Sequence, residues 1–332
     1  MAIEGRKRYS VVVRLLFGLS TFAILFLMVH PRDVLEALRH ADLHFIFLGA
    51  LLCFLGIAAR AYRWMLILRH LAIRVPFWRV LEISMISLWF NTFLPGSVGG
   101  DLYKIYDVSK ASAKKIRPAA AVLLERLTGV LTLLGVAIVA LTVFRGDIPM
   151  PHWVFPLILG GTGLITLTLL AVMLFFDTLW SLLAVRLPWL SRVLDEKKAR
   201  SIADVSNELR RNPRLFIEAC LLGLVVQGLT LGAYALMARS ILPDIPILYF
   251  FTFFPLIEIA SLVPITVNGI GLKEGLIVLS LGMSHVEGAL SMSLGILFRI
   301  VGIFFALIGG ALLLNRKPAG WQTENAVVAA RV

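Results

Sequence analysis

Long apolar runs alternate with short basic segments along this chain. Six runs, at 11–29, 44–68, 119–143, 153–176, 215–238 and 288–314, carry few charges. Each matches the roughly 20 residues that a helix needs to cross a hydrocarbon core about 30 Å thick. The first follows Arg6-Lys7-Arg8, but its apolar part is long for a signal peptide. His30-Pro31-Arg32 is not a small-residue cleavage site, so this run reads as a retained anchor.

Two further apolar regions fit a simple crossing badly. Residues 80–94 give fifteen positions before Pro95-Gly96, and after Gly99-Gly100 the chain resumes as Asp101-Leu102-Tyr103-Lys104, too polar to continue a span. Residues 247–263 stop at Pro264, turn through Asn268-Gly269-Ile270-Gly271 and resume as a short apolar piece to about 283. Each region reads as two half-helices joined by a Gly/Pro turn, the pattern of a re-entrant hairpin.

Charge distribution discriminates between crossing and re-entry, because Lys and Arg concentrate in cytoplasmic loops. If both broken regions crossed, the basic loops 101–118 and 177–214 would lie outside. If both re-enter, 22 Lys/Arg fall inside with both termini, four fall outside (Arg32, Arg39, Arg145, Arg239), and six remain within apolar segments. The re-entrant arrangement is the one the charges favour. The expected fold is an all-α polytopic membrane protein with six full transmembrane helices and two re-entrant broken-helix hairpins.

The hairpins share a plan. Units 80–143 and 247–314 each run apolar half-helix, proline, glycine-rich turn, polar-headed half-helix, full span. Pro95 and Gly100 are spaced as Pro264 and Gly269 are, and each following span carries one arginine, Arg126 or Arg299. Three crossings separate the hairpins, so the units would be inverted with respect to each other, a transporter arrangement with its site near the midplane. Two unrelated hairpins that each need Pro and Gly to turn remain the competing explanation. One transmembrane domain is expected over 1–318, with a short cytoplasmic tail at 319–332. Residues 178–213 read as an amphipathic surface stretch.

Composition supports the membrane assignment. Of 332 residues, 59% are hydrophobic and 16% charged, with a mean hydropathy of +0.89. Soluble domains average about 45–50% apolar and about 25% charged. The net charge of +12 is what basic cytoplasmic loops produce, so no nucleic-acid partner is implied. Cys53 and Cys220 sit in apolar runs and form no disulfide framework. His40 and His44 are spaced for one helix face but have no third ligand nearby, so no metal and no cofactor are expected.

Ionisable residues at membrane depth are costly and therefore functional candidates. Asn91, Asp101 and Lys104 surround the first turn, where Gly96, Gly99 and Gly100 could expose backbone N–H groups to a phosphate. The alternative is that the glycines only permit the turn and Lys104 snorkels to the surface. Glu125 and Arg126 point about 100° apart on a helix, so each reaches a different neighbour. Glu125 could be a structural ion-pair partner, whereas Arg126 suits bidentate phosphate binding. Glu258, Asn268, Lys273 and Glu274 form the second hairpin's polar set, with Arg299 on the last span. Glu258 could neutralise Arg299 or Arg126, or receive a cationic headgroup or a coupling proton. Arg60 and Arg63 share a helix face beside Trp64. Snorkelling to anionic headgroups is their favoured role, ahead of lipid-phosphate access. Gln227 reads as a helix–helix hydrogen bond.

Three segments together resemble a known family. Arg60-x-x-Arg63-Trp64, Asn91-Thr92-Phe93-Leu94-Pro95-Gly96-x-x-Gly99-Gly100-Asp101 and Leu124-Glu125-Arg126-Leu127 are similar to the lysylphosphatidylglycerol synthase transmembrane region, the flippase-like family. Pro264-x-x-x-Asn268-Gly269-x-Gly271-x-x-Glu274 resembles the family's second hairpin, with Ile265 and Thr266 in place of glycines. Lys104 stands where many members have arginine. The resemblance spans roughly 10–315 and implies a stand-alone member without the synthase domain. It further implies an inner-membrane lipid transporter that moves a phosphate-bearing lipid between leaflets, such as an aminoacylated or other phospholipid or a polyprenyl-phosphate carrier. Arg126, Arg299 and Lys104 would hold the phosphate. A membrane-interface enzyme acting on polyprenyl-phosphate lipid, or a non-transporting partner of a separate lipid-synthesis enzyme, are the other expectations.

Overall fold

The computed structural model describes residues 31–93, 99–110, 116–143, 154–186, 203, 206–207, 210–261 and 269–316. The expected first span, the turn residues Pro95, Gly96, Pro264 and Asn268, most of the 178–213 stretch and the tail 319–332 lie outside the described residues. Ten helices carry most of the described chain, and none of it is in a strand: α1 (Pro31–Arg39), α2 (Leu43–His70), α3 (Phe77–Phe93), α4 (Gly99–Ser109), α5 (Ile116–Val143), α6 (Val154–Arg186), α7 (Pro213–Arg239), α8 (Ile247–Ser261), α9 (Leu272–Gly282) and α10 (Gly288–Leu314).

Five of these are long and apolar enough to cross a membrane: α2, α5, α6, α7 and α10. They coincide with five of the six spans read from the sequence; the sixth, at 11–29, is not described. With 28 residues, α2 is about 42 Å long at about 1.5 Å per residue. α8, with 15 residues, reaches only about 22 Å, short of the core thickness.

Local chemistry sets the ends of these helices. Asp42 caps α2 by accepting the His44 N–H at 2.8 Å, satisfying one of the donors a helix start leaves open. Pro213 opens α7, where a missing N–H costs nothing. α6 runs ten residues past the expected end at 176, with a kink at Phe175 (φ −125°, ψ 27°). Its sequence between 176 and 187 contains neither Pro nor Gly, and Pro188 is the first residue that cannot continue a helix. Backbone hydrogen bonding thus outlasts the apolar run.

Packing centres on α2 against α7, with α10 against α3 and α5 against α7 and α8, while α6 packs chiefly on α5. Trp64, Phe250, Phe254, Ile67 and Leu68 are fully buried in the core these helices enclose. The outer faces are apolar instead: Phe47, Leu157, Leu164, Leu221 and Phe304 are exposed. That inversion is expected where the surrounding medium is lipid. Small residues allow the closest approaches. A Cβ on Gly309 of α10 would stand 2.1 Å from the Met85 carbonyl oxygen of α3. Gly309→Ala is expected to lower stability by about 1–3 kcal/mol through overpacking, read as a lower melting temperature in detergent. Gly228→Ala, with nothing within 4 Å of its added carbon, serves as the control and should not lower it.

Candidate functional site

The half-helix α4 starts at Gly99 and α9 directly follows Gly271, and both present an acidic and a basic residue early in their course. α4 carries Asp101 and Lys104; α9 carries Lys273 and Glu274. Acids in a first turn complement the positive end of the helix dipole. Gly271, the residue before α9, has φ +78°, and Gly269 has φ +69°, a backbone region that glycine enters without strain.

α3 and α4 pack closely on either side of residues 94–98. The Gly100 N–H donates to Asn91 Oδ1 at 2.8 Å. A Cβ at Gly100 would lie 2.3 Å from the Ser87 carbonyl oxygen and 2.7 Å from the Asn91 side chain, so only glycine permits this approach. One N–H expected to serve a phosphate is therefore already engaged by Asn91.

Four ion pairs surround a cavity of about 580 Å³ between these elements and α2, α5, α7, α8 and α10. Lys104 Nζ donates to both Glu125 oxygens, at 2.9 and 3.1 Å, and both side chains are only 7% exposed. Lys104 also stands 4.7 Å from the Trp64 ring centroid, a cation–π distance. Lys104 thus does not snorkel; it is buried against a carboxylate. Asp101 pairs with Arg126, so Glu125 and Arg126 do reach different neighbours, both on α4.

The second half is built similarly. Lys273 pairs with Glu258, and the Tyr234 hydroxyl donates to Glu258 Oε1 at 2.8 Å while accepting from Lys273 Nζ at 3.2 Å. The partner of Glu258 is thus its hairpin neighbour, and neither Arg126 nor Arg299. Glu274 accepts the Gly271 N–H at 2.8 Å, closing the start of α9, and binds Arg299 Nε. Gly295 leaves room for this carboxylate: a Cβ there would be 3.2 Å from Glu274 Cγ.

α2 contributes the remaining cations. Arg63 is 3% exposed, which corrects its expected snorkelling. Its Nη2 donates to the Glu125 backbone oxygen at 3.2 Å, while Nε and Nη1 have no hydrogen-bond partner among the described residues. Arg60 lines the same cavity, is exposed, and forms no ion pair with a described residue. Gln227 Nε2 donates to the Gly129 carbonyl at 3.4 Å, the expected helix–helix bond. The cavity therefore gathers every described ionisable residue that the sequence nominated for substrate binding. Tyr234 and Ser84, which also line it, were not anticipated. A phenol inside an apolar span was the available signal for Tyr234; Ser84 offered none.

A separate charged cluster lies where α3, α4 and the end of α10 meet. Arg316 binds Asp107 at 2.7 Å, and Arg79 binds Glu82 at 2.6 Å and Asp107 at 3.8 Å. Burial pushes the Asp107 carboxyl above its usual value, with Arg79 and Lys110 pulling against it. Among the described residues no group of three metal-ligating side chains occurs.

Comparison with known proteins follows the same lines. Residues 11–310 match the family described as the lysylphosphatidylglycerol synthase TM region. A UPF0104 membrane protein of Pyrococcus horikoshii is 24% identical, the match covering 94% of this chain and 98% of that protein. A UPF0104 membrane protein of Methanothermobacter thermautotrophicus is 18% identical, covering 90% and 92% respectively.

Proposed function

The chain belongs to the lysylphosphatidylglycerol synthase transmembrane-region family, and on that premise we propose that it is a flippase-like transporter that carries a phosphate-bearing lipid between leaflets. The observation that carries this reading is the cavity. Ten charged side chains of the described residues converge on it from helices whose outer faces are apolar. Charges at such depth face a bundle interior and mark substrate paths. A polar chamber for the headgroup, with acyl chains left in lipid, needs no continuous aqueous pore.

An inverted repeat of broken helices is part of the same proposal. The helix lengths α3, α4 and α5 are 17, 11 and 28 residues; α8, α9 and α10 are 15, 11 and 27. Asp101 and Arg126 are 25 positions apart, as are Glu274 and Arg299. Equal spacing of an acid after the glycine turn and an arginine on the next span supports two copies of one unit. In this arrangement the two half-helix pairs enter from opposite faces and meet at the cavity. The basic loops then lie in the cytoplasm with both termini, and the protein resides in the cytoplasmic membrane.

Reconstitution tests the proposal. Proteoliposomes containing the purified chain and headgroup-labelled phosphatidylglycerol are expected to expose the inner-leaflet label to a membrane-impermeant quencher. Vesicles with the protein that protect the inner pool as completely as protein-free vesicles would remove the transport reading.

A further inference from the structure

The charges around the cavity do not cancel. Lys104, Arg126, Lys273 and Arg299 are each held by a carboxylate, from Glu125, Asp101, Glu258 and Glu274 respectively. Arg60 and Arg63 have no such partner among the described residues. The undescribed segments 94–98 and 262–268, which adjoin the half-helices, contain no ionisable residue. Among the described residues the lining therefore carries two positive charges in excess.

Arg63 is the sharper of the two observations. A guanidinium that is 3% exposed with two unpaired nitrogens is expensive to keep unless an anion completes it. The surroundings hold it in place. Its Nη2 is anchored on the Glu125 carbonyl, and glycines stand on two sides. A Cβ at Gly129 would be 3.2 Å from Nη2, and one at Gly223 would be 3.0 Å from Nη1. Arg60 sits three residues earlier, on the same helix face. Guanidinium groups match phosphate oxygens with paired N–H donors.

We infer that the cavity selects a lipid whose headgroup is net anionic, with its phosphate held by Arg60 and Arg63 of α2, and that it disfavours headgroups made net cationic by an aminoacyl group. This rests on the lipid-handling reading above and narrows its substrate class. A phosphodiester brings one negative charge, which cancels half of the excess, and a phosphomonoester brings about −1.5 to −2, which nearly cancels it. An ammonium headgroup would meet four carboxylates already occupied by lysine or arginine and would raise the positive charge further. Arg126, Arg299 and Lys104, expected from the sequence to grip the phosphate, instead build the neutral walls around it.

Native mass spectrometry of the full chain tests this. The protein in mild detergent is given equimolar phosphatidylglycerol, phosphatidylcholine and lysyl-phosphatidylglycerol. Retention of phosphatidylglycerol about tenfold above the lysyl ester is expected, the scale of one or two charge-assisted hydrogen bonds. Arg60→Gln, at an exposed position that leaves folding intact, should remove about tenfold of that preference, and Arg63→Gln at least as much where it folds. Equal or better retention of the lysyl ester, or an unchanged preference in Arg60→Gln, would overturn the inference. Displacement of the lipid by millimolar inorganic phosphate would overturn its lipid element and assign the pair to a soluble anion. Retention requires no translocation, so a chain that binds phosphatidylglycerol selectively but does not move it fails only the transport proposal. One that moves the lysyl ester equally well fails only this one.

Discussion

Lys104→Met is expected to destabilise the protein by about 3–5 kcal/mol, the scale for breaking a buried ion pair from one side. The residue donates to both oxygens of Glu125, and both side chains are only 7% exposed. Removing the ammonium leaves a carboxylate in the core with no comparable partner. Removing both members is different. Lys104→Met with Glu125→Leu deletes the stranded charge, and such replacements are often neutral or stabilising by about 1–4 kcal/mol. The Glu125 backbone oxygen that anchors Arg63 survives the change. The excess of two positive charges also survives, so the double variant should fold and keep its lipid preference. Thermal unfolding of the four members of this cycle in detergent measures the coupling. A single variant within about 0.5 kcal/mol of the parent, the range of ordinary surface substitutions, would show that the pair is no more consequential than an exposed one.

Arg299→Ala should be similarly damaging, and more so than Arg126→Ala, although the two arginines occupy equivalent places in the proposed repeat. The difference lies in what each leaves behind. Glu274 has 2% side-chain exposure and Asp101 has 16%, while Arg126 itself is 43% exposed. A stranded Glu274 is expected to cost about 3–5 kcal/mol. The half-exposed Asp101–Arg126 pair is nearer the regime of about 1 kcal/mol or less that governs accessible pairs. Glu274→Gln on the Arg299→Ala background should recover most of the loss. It removes the charge but can still accept the Gly271 N–H that closes the start of α9. Equal melting temperatures for Arg299→Ala and Arg126→Ala would contradict this ordering.

The position of each helix along the chain was legible in the sequence, and rotation about the helix axes was not. Apolar run length located α2, α5, α7 and α10 to within three residues at each end. Proline and glycine spacing marked the breaks between α3 and α4 and between α8 and α9. Charge at depth was enough to nominate Asp101, Lys104, Glu125, Arg126, Glu258, Lys273, Glu274 and Arg299, all of which line the cavity. Partners depend on which way each helix faces, and packing decides that. The carboxylate of Glu258 accordingly found Lys273 and Tyr234, and Arg63 turned inward where snorkelling was expected. The room that Gly129 and Gly223 leave for Arg63 was invisible for the same reason: it exists only once α2, α5 and α7 are side by side. α6 shows the opposite error, in which hydropathy ended the helix and the backbone did not.

The imbalance of the cavity has an electrical consequence. Moving one unit charge through a membrane potential of 100 mV changes its energy by about 2.3 kcal/mol. Four of the six cations lining the chamber are bound to their own counter-charges and would feel almost none of this. The two on α2 would feel it fully whenever the chamber is empty. A phosphodiester lipid seated on them would halve that excess charge, and a phosphomonoester of about −1.5 to −2 would nearly cancel it. Within the transport proposal, voltage then acts more strongly on the unloaded return step than on the loaded one. The cell's resting potential would set how quickly the carrier resets and, because the cargo is itself charged, would act together with the abundance of the lipid in each leaflet on the direction of net transport.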